Sequence, residues 1–258
     1  MSSTNADSAI VKNTATASPP LLELRDVEAS YGPFRSLFGV SLKVEERSAL
    51  ALLGSNGSGK TTVVRVCCGL VKPTAGKMFF KGEDITGVAT HRLAQMGIVH
   101  APEGRSVFAS LTVEENLLLT FRQVFGRRKA KLAINRAYDL FPRLGERRGQ
   151  LAGTLSGGEQ RMVSLARVLV HEPKLLMTDE LSLGLAPVII DEVYETLDVI
   201  SKSGTALIIV EQHVRQALSL ADTVVVMAKG KVALSGRTDE LGDLADQIMP
   251  AVHGETNA

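Results

Sequence analysis

The feature that most constrains the fold is a glycine-rich loop, Gly54–Thr61, with the sequence GSNGSGKT. It matches the pattern GxxxxGK[ST] and stands between the apolar run ALALL and the helical pattern KTTVVRVCCGL. Glycines in such a strand–loop–helix let successive backbone N–H groups wrap a phosphate chain, and the helix N-terminus adds its positive end. Lys60 is predicted to reach the β- and γ-phosphates, and the Thr61 hydroxyl is predicted to bind Mg²⁺. The predicted nucleotide-binding residues here are Gly54, Ser55, Asn56, Gly57, Ser58, Gly59, Lys60, Thr61 and Thr62.

Length and composition limit the partners. The 258 residues carry a formal net charge of +1, which gives no general electrostatic reason to expect nucleic acid as a partner. No run of about 18 apolar residues occurs, so any membrane-spanning part must come from other subunits.

Cys67 and Cys68 are predicted to be buried thiols in a reducing, cytosolic setting. Residues 1–20 have no apolar core and are predicted to be a disordered tail rather than a secretory signal, and residues 249–258 are predicted to be a C-terminal tail.

Short apolar runs alternate with helical patterns from Leu21 onward. LLELRDVEASY, SLKVEERSALALL, GKMFFKG and MGIVHA are each predicted to be a strand, and the segment from about Thr112 to Val170 is almost wholly helical. KLLMTD, TALIIVE and DTVVVMA have the length of buried parallel strands. VIIDEVYETLDVISKSG has helical spacing and predicts a helix that stops at Gly204. VVVMAKGKVALSG is predicted to be a hairpin that turns at Gly230, with a short helix near Asp239–Leu244. The pattern predicts an α/β core with parallel strands and an inserted helical lobe.

A second loop, Leu155–Gln160 with the sequence LSGGEQ, opens the helical pattern RMVSLARVLV. The hydroxyl of Ser156 and the N–H groups of Gly157 and Gly158 would form another anion site at a helix start. A simple N-capped helix needs only Ser156, so the two glycines favour the anion site.

Paired carboxylates end the apolar run KLLMTDE. Asp179 at the strand end is predicted to hold Mg²⁺, directly or through water, and Glu180 is predicted to polarise the attacking water as a general base. An Asp–Glu pair that closes an apolar strand just after the LSGGEQ helix is uncommon for ordinary surface acids.

The three motifs, in this order and spacing, resemble those of ABC (ATP-binding cassette) ATPases, whose signature is LSGGQ. The resemblance covers roughly Leu21 to Leu244. It implies a P-loop NTPase core with a parallel sheet, an antiparallel β subdomain and an inserted helical ABC subdomain. The implied ABC ATPase domain spans residues 21–248, with the helical subdomain at approximately 104–170.

The resemblance assigns roles to further residues. Tyr31 matches the aromatic residue that stacks on adenine, although a lone aromatic is also ordinary core packing. Glu103 falls where most ABC ATPases carry Gln, in the loop that links the γ-phosphate site to the membrane partner, so it is an implied ligand of the nucleotide and of Mg²⁺. The switch position after the strand is usually His; here Gln212 aligns with it and His213 follows, so either could touch the γ-phosphate. Leu181 and Ala186 replace the usual Pro and Asp.

The segments PEGRSVF, TVEEN, SLGLAP and VEQ resemble the smaller, F-type ATPase of branched-chain amino-acid importers. The resemblance implies an ATP-hydrolysing subunit, with ATP and Mg²⁺ as cofactors, that energises uptake of branched-chain amino acids or a related small polar or amide substrate. It would lie peripherally at the cytoplasmic face of the inner membrane. Its implied partners are two membrane permease subunits, a companion ABC ATPase or a second copy of itself, and, indirectly, an extracytoplasmic binding protein.

The sequence argues against two rival functions. A soluble ABC ATPase that acts on nucleic acid or ribosomes would carry a long coiled coil or two cassettes, and this chain has room for neither. A catalytically dead regulatory cassette is opposed by Lys60, Asp179 and Glu180, which are all present.

Overall fold

Two β-sheets of different type carry the strands. The computed structural model describes residues 18–101, 107–169, 172–211 and 214–240. In chain order the elements are β1 (Leu22–Tyr31), β2 (Phe34–Val44), β3 (Ala49–Gly54), α1 (Lys60–Cys67), β4 (Ala75–Phe80), β5 (Glu83–Asp84), α2 (Thr90–Met96), β6 (Ile98–Ala101), α3 (Val113–Leu140), α4 (Pro142–Glu146), α5 (Gly157–Leu169), β7 (Leu175–Asp179), α6 (Pro187–Lys202), β8 (Ala206–Val210), α7 (Val214–Leu220), β9 (Thr223–Ala228) and β10 (Lys231–Arg237). The first sheet is antiparallel with the order β2-β1-β4-β5, and the second has the order β10-β9-β3-β8-β7-β6.

The second sheet brings the predicted motifs together. Its strands β9, β3, β8, β7 and β6 are parallel, so their carboxyl ends meet at one edge. Gly54 at the end of β3 pairs with Met227 of β9, and Asp179 at the end of β7 pairs with Val210 of β8. The predicted phosphate loop and the predicted carboxylate pair therefore lie on the same edge of one sheet.

Strand β3 belongs to two apolar cores because its side chains alternate between the sheet faces. Leu50 and Leu52 pack with the antiparallel sheet and α1, whereas Ala49, Ala51 and Leu53 pack with α3, α5 and α6. All six residues of β3 are buried. The sheet is thus covered on both faces, which is the usual condition for parallel strands.

One predicted strand is wrong. SLKVEERSALALL is the end of β2 joined to β3, and the two strands lie in different sheets. The chain turns between Val44 and Ala49, where Arg47 has φ +59°, in the left-handed region, and Ser48 N–H donates to the Glu45 carbonyl. The antiparallel β subdomain is confirmed, and β2 extends eleven residues as one of its strands.

The prediction of helix from about Thr112 to Val170 is confirmed for the described residues, which form α3, α4, a short 3-10 turn at Ala152–Thr154, and α5. Thr112 begins α3 with a capping box, since its side chain accepts from Glu115 N–H and the Glu115 side chain accepts from Thr112 N–H. Gly126 breaks α3 with φ +74° and ψ +168°.

The ends of the predicted domains stay predictions. The approximate bounds of the helical subdomain, positions 104 and 170, lie outside the described residues. Residues 1–17 and 241–258 also lie outside them, and these ranges hold most of the predicted tails and most of the short helix predicted near Asp239–Leu244. Within the described ranges, no helix is both long and apolar enough to cross a bilayer.

Candidate nucleotide-binding site

The backbone of the loop Gly54–Thr61 requires glycine at two points. Gly54 has φ +146°, and a Cβ there would overlap the carbonyl oxygen of Met227 on the neighbouring strand. Gly59 has φ +108° and is the N-cap of α1, with no side-chain cap. Such conformations favour glycine, and the uncapped helix start leaves backbone N–H groups for an anion.

Lys60 is buried in this loop, with 4% of its side chain exposed. Its ammonium Nζ donates to the carbonyl oxygens of Gly54, at 2.8 Å, and Ser55, at 3.1 Å. Burial lowers the pKa of Lys60, and the nearby carboxylates, led by Glu180, oppose that shift. The cation is therefore held inside the loop, where phosphate oxygens can exchange for its carbonyl partners.

The predicted metal-binding pair is brought together across two elements. Thr61 Oγ1 at the start of α1 lies 3.4 Å from Asp179 Oδ1 at the end of β7. A hydroxyl and a carboxylate are hard oxygen ligands, and Mg²⁺ commonly takes only one or two protein ligands beside phosphates and water. The two oxygens therefore fit Mg²⁺ bound together with a nucleotide, whose phosphates would supply further ligands. Among the described residues there is no cluster of three or more His, Cys, Asp or Glu side chains suited to a metal ion. Glu103, the third predicted ligand, lies outside the described residues.

Glu180 follows β7 directly, and its backbone is set by two hydrogen bonds. Its N–H donates to the Val210 carbonyl at 2.9 Å, and its carbonyl accepts from Arg161 Nη2 at 3.4 Å. The backbone has φ +47°, a left-handed conformation that is uncommon for a residue with a side chain. The carboxylate Oε1 lies 4.0 Å from Lys60 Nζ. The predicted base and the predicted phosphate-binding lysine are therefore neighbours.

The predicted signature residues begin α5, and Ser156 is exposed there. Ser156 Oγ accepts from Glu159 N–H at 3.3 Å, while Ser156 N–H donates to Glu159 Oε2 at 2.8 Å, which is a capping box. The Ser156 hydroxyl also hydrogen-bonds to the Glu159 carboxylate, so it would have to turn from Glu159 to donate to an anion. Gly158 has a packing reason as well, since a Cβ there would overlap Ile189 Cγ2 on α6.

Other predicted residues fall around the loop. Tyr31, at the end of β1, is 41% exposed, and its hydroxyl accepts from Arg65 Nη1 of α1 at 3.4 Å. Its ring is thus not core packing, and it stands beside the helix that follows the phosphate loop. Thr62 Oγ1 lies 2.9 Å from Ser36 Oγ. Gln212 and His213 lie outside the described residues, so the choice between them stays open.

Sequence reasoning missed a buried contact behind the carboxylates. Glu211, 1% exposed, accepts from Ser182 N–H at 3.0 Å and from Ser182 Oγ at 2.6 Å. The pair ties the segment after Glu180 to the segment that leads into the predicted switch. The motif VEQ marked Glu211 in the sequence, but only the order of β7 and β8 in the sheet brings Ser182 next to it.

The cysteine prediction is confirmed in its structural part. Cys67 and Cys68 are both buried and free, and burial raises the pKa of the Cys68 thiol to about 12. Burial also raises the pKa of Cys67. Both thiols are protonated near neutral pH and are poor nucleophiles.

Replacing Gly158 by alanine is expected to lower the free energy of unfolding by about 1–3 kcal/mol, because the new methyl group must displace the stiff β-branched Ile189 side chain. Thermal or urea denaturation measures the loss. The matched test repeats Gly158→Ala in an Ile189→Ala background, where less than half of the cost is expected. An equal cost in both backgrounds would show that the overlap with Ile189 is not its cause.

Comparisons with known proteins agree with this geometry. BraG of Pseudomonas aeruginosa, described as a high-affinity branched-chain amino acid transport ATP-binding protein, is 38% identical over 218 residues, which cover 83% of this chain and 91% of BraG. LivF of Archaeoglobus fulgidus, described as a probable branched-chain amino acid transport ATP-binding protein, is 35% identical over 225 residues, covering 86% and 94%. The ADP conformation of MJ1267, an ATP-binding cassette of an ABC transporter, has a TM-score of 0.80 and 26% identity, covering 92% and 98%.

The fold and site define a P-loop ATPase of the ATP-binding cassette class. Residues 37–182, more than half of the chain, match the ABC transporter family, and the chain belongs to that family. It is the ATP-binding subunit of an ABC transporter, works with membrane subunits, and hydrolyses ATP to drive transport.

Proposed function

We propose that this chain is the F-type ATPase subunit of an importer that takes up branched-chain amino acids or a related small polar or amide substrate. The observation that carries this proposal is the similarity to BraG and LivF, at 38% and 35% identity over more than four fifths of the chain. The sequence segments SLGLAP and VEQ also resemble that subunit.

The described contacts support a specific division of labour in hydrolysis. Lys60 binds the β- and γ-phosphates, and Thr61 and Asp179 hold Mg²⁺, which when bound neutralises charge on the phosphate oxygens. Glu180, 4.0 Å from Lys60, accepts a proton from the water that attacks the γ-phosphorus. The bond between that phosphorus and the oxygen bridging to the β-phosphate breaks, and ADP and phosphate leave. We assign the switch contact to Gln212, on the register of VEQ, rather than to His213.

The complete site requires a second cassette in this proposal. Ser156, Gly157 and Gly158 of one subunit contact the ATP held by the Gly54–Thr61 loop of the other. The exposure of Ser156 at the start of α5 supports this arrangement. The second cassette is a companion ATPase or a second copy of this chain.

The remaining partners follow from the importer assignment. Two permease subunits form the membrane part, an extracytoplasmic binding protein delivers the substrate, and this subunit lies peripherally at the cytoplasmic face. The net charge of +1 supports the absence of a nucleic-acid partner.

Uptake by whole cells tests the substrate class. Cells that lack this chain are expected to lose high-affinity uptake of labelled leucine, and the wild-type chain, but not Glu180→Gln, is expected to restore it. Unlabelled leucine, isoleucine and valine are compared with urea and short amides as competitors to identify the substrate class. A substrate site shaped for an aliphatic side chain binds branched-chain amino acids more tightly because it buries that side chain. Unchanged leucine uptake, with loss of urea or amide uptake instead, would overturn the branched-chain assignment. The conclusion that the chain serves an importer would then still stand.

A further inference from the structure

The signature serine is held by a carboxylate that has a cationic partner. One oxygen of Glu159 accepts from Ser156 N–H at 2.8 Å, and the other, Oε1, lies 2.8 Å from Arg147 Nε. The Glu159 side chain is only 10% exposed, whereas Arg147 is 46% exposed. The three residues form a line from the surface through a nearly buried carboxylate to the serine of the anion site.

This carboxylate is ionised. Burial raises the pKa of Glu159, but hydrogen bonds from Ser156 and the positive charges of Arg147 and Arg143 outweigh burial and hold the pKa below its usual range. A full negative charge therefore stands three residues from Ser156, in a site that is proposed to receive the γ-phosphate of ATP. In the LSGGQ form of the signature a neutral glutamine occupies this position.

Arg147 is the cation placed to compensate that charge. Arg143, the other contributor, forms an ion pair with Glu192 on α6 at 3.0 Å. Arg147 lies at the end of α4, and its Nη1 also donates to Gln150 Oε1 at 3.2 Å. Gln150 in turn donates to Thr154 Oγ1 at 3.0 Å, in the turn that leads into the signature. These contacts orient the guanidinium toward Glu159 without a nucleotide.

We propose that Arg147 is a positioning residue for the ATP bound by the opposite subunit. The Arg147 guanidinium neutralises the Glu159 charge, so that the signature LSGGE can accept a phosphate as the neutral LSGGQ does. It also holds the Glu159 carboxylate in position to accept the hydrogen bond from Ser156 N–H. The inference rests on the proposed nucleotide sandwich. It predicts that the need for Arg147 depends on the charge of Glu159.

A double-mutant cycle tests this dependence. The full-length chain, assembled with its transporter partners, is compared as wild type, Arg147→Gln, Glu159→Gln and the double variant, by ATPase rate against ATP concentration. Arg147→Gln is expected to raise the KM for ATP about tenfold in the wild-type background and less than about twofold in the Glu159→Gln background. A tenfold change is the order of effect expected from one uncompensated charge a few residues from the phosphate. The kcat at saturating ATP is expected to change less than about twofold in both backgrounds.

Matched variants separate this role from folding. Arg148→Gln removes the same charge from the next residue and is expected to leave the KM unchanged, and Arg147→Lys, which keeps the charge, is expected to recover most of the loss. Far-UV circular dichroism of Arg147→Gln is expected to match wild type, because Arg147 is 46% exposed and Ser156 N–H still donates to Glu159. A KM that rises equally in both backgrounds, or does not rise at all, overturns the proposal for Arg147.

The sandwich itself has a separate control. If Ser156→Arg abolishes hydrolysis while Arg147→Gln has no effect, the sandwich stands and the inference about Arg147 fails. If Ser156→Arg hydrolyses at the wild-type rate, the sandwich fails instead.

Discussion

A Lys60→Ala protein is expected to bind ATP at least about 100-fold more weakly than wild type. Hydrogen bonds to charged groups contribute about 1.5–3 kcal/mol each, and Lys60 is placed to make two with phosphate oxygens, while every 1.4 kcal/mol is a factor of ten. The loss of the buried ammonium also removes a positive charge that favours the Asp179 and Glu180 carboxylates when the phosphate chain arrives. Titration with a fluorescent ATP analogue measures the change.

Two controls accompany this substitution. Lys72→Ala removes an exposed lysine outside the loop and is expected to bind ATP normally. Far-UV circular dichroism of Lys60→Ala is expected to match wild type, because the alanine replaces a cation and not an apolar core residue. A folded Lys60→Ala protein with wild-type affinity would show that the loop Gly54–Thr61 does not bind the phosphates.

A Glu180→Gln protein is expected to hydrolyse ATP about 10²–10⁴-fold more slowly, the usual contribution of a general base. Glutamine keeps the size of the side chain and can still orient a water, but it cannot accept the proton. Binding of Mg-ATP is expected to persist, because Lys60, Thr61 and Asp179 are unchanged. Steady-state ATPase assays measure the rate, and Glu172→Gln, an exposed acid before β7, is the matched control. A wild-type rate in Glu180→Gln would mean that another residue is the base.

Local patterns predicted which residues would lie together in the described part of the site, while their chemical roles stay predictions. Lys60, Thr61, Asp179 and Glu180 each follow a short motif at a strand end, and parallel strands deliver such ends to one edge whatever their order. Arg161 was not predicted, because its contact with the Glu180 carbonyl depends on how α5 packs against that edge.

The pairing of Arg147 with Glu159 was missed for a related reason. The two residues lie twelve positions apart, on either side of the turn Ala152–Thr154. No hydrophobic periodicity in the sequence predicts the conformation of that turn. The sequence shows an acid in the signature and several arginines before it, but not which arginine is the partner.

The errors in the fold come from turns and short helices. The four residues between β2 and β3, Glu45–Ser48, are polar, but they include no Gly, Pro, Asn or Asp to mark the turn at Arg47. Helices α2 and α7 have seven residues each, which is too short for a helical period to stand out.

The central claim, that ATP is held between two cassettes, is tested most directly by the mass of Glu180→Gln with saturating Mg-ATP. Light scattering after size exclusion is expected to show twice the 27.6 kDa of one chain, or the sum with the companion ATPase when that subunit is present. Adding Ser156→Arg to the same chain is expected to return the mass to that of a monomer, because the arginine crowds the γ-phosphate of the opposing subunit. A Glu180→Gln chain that binds ATP yet stays at 27.6 kDa, both alone and with the companion, would contradict the claim.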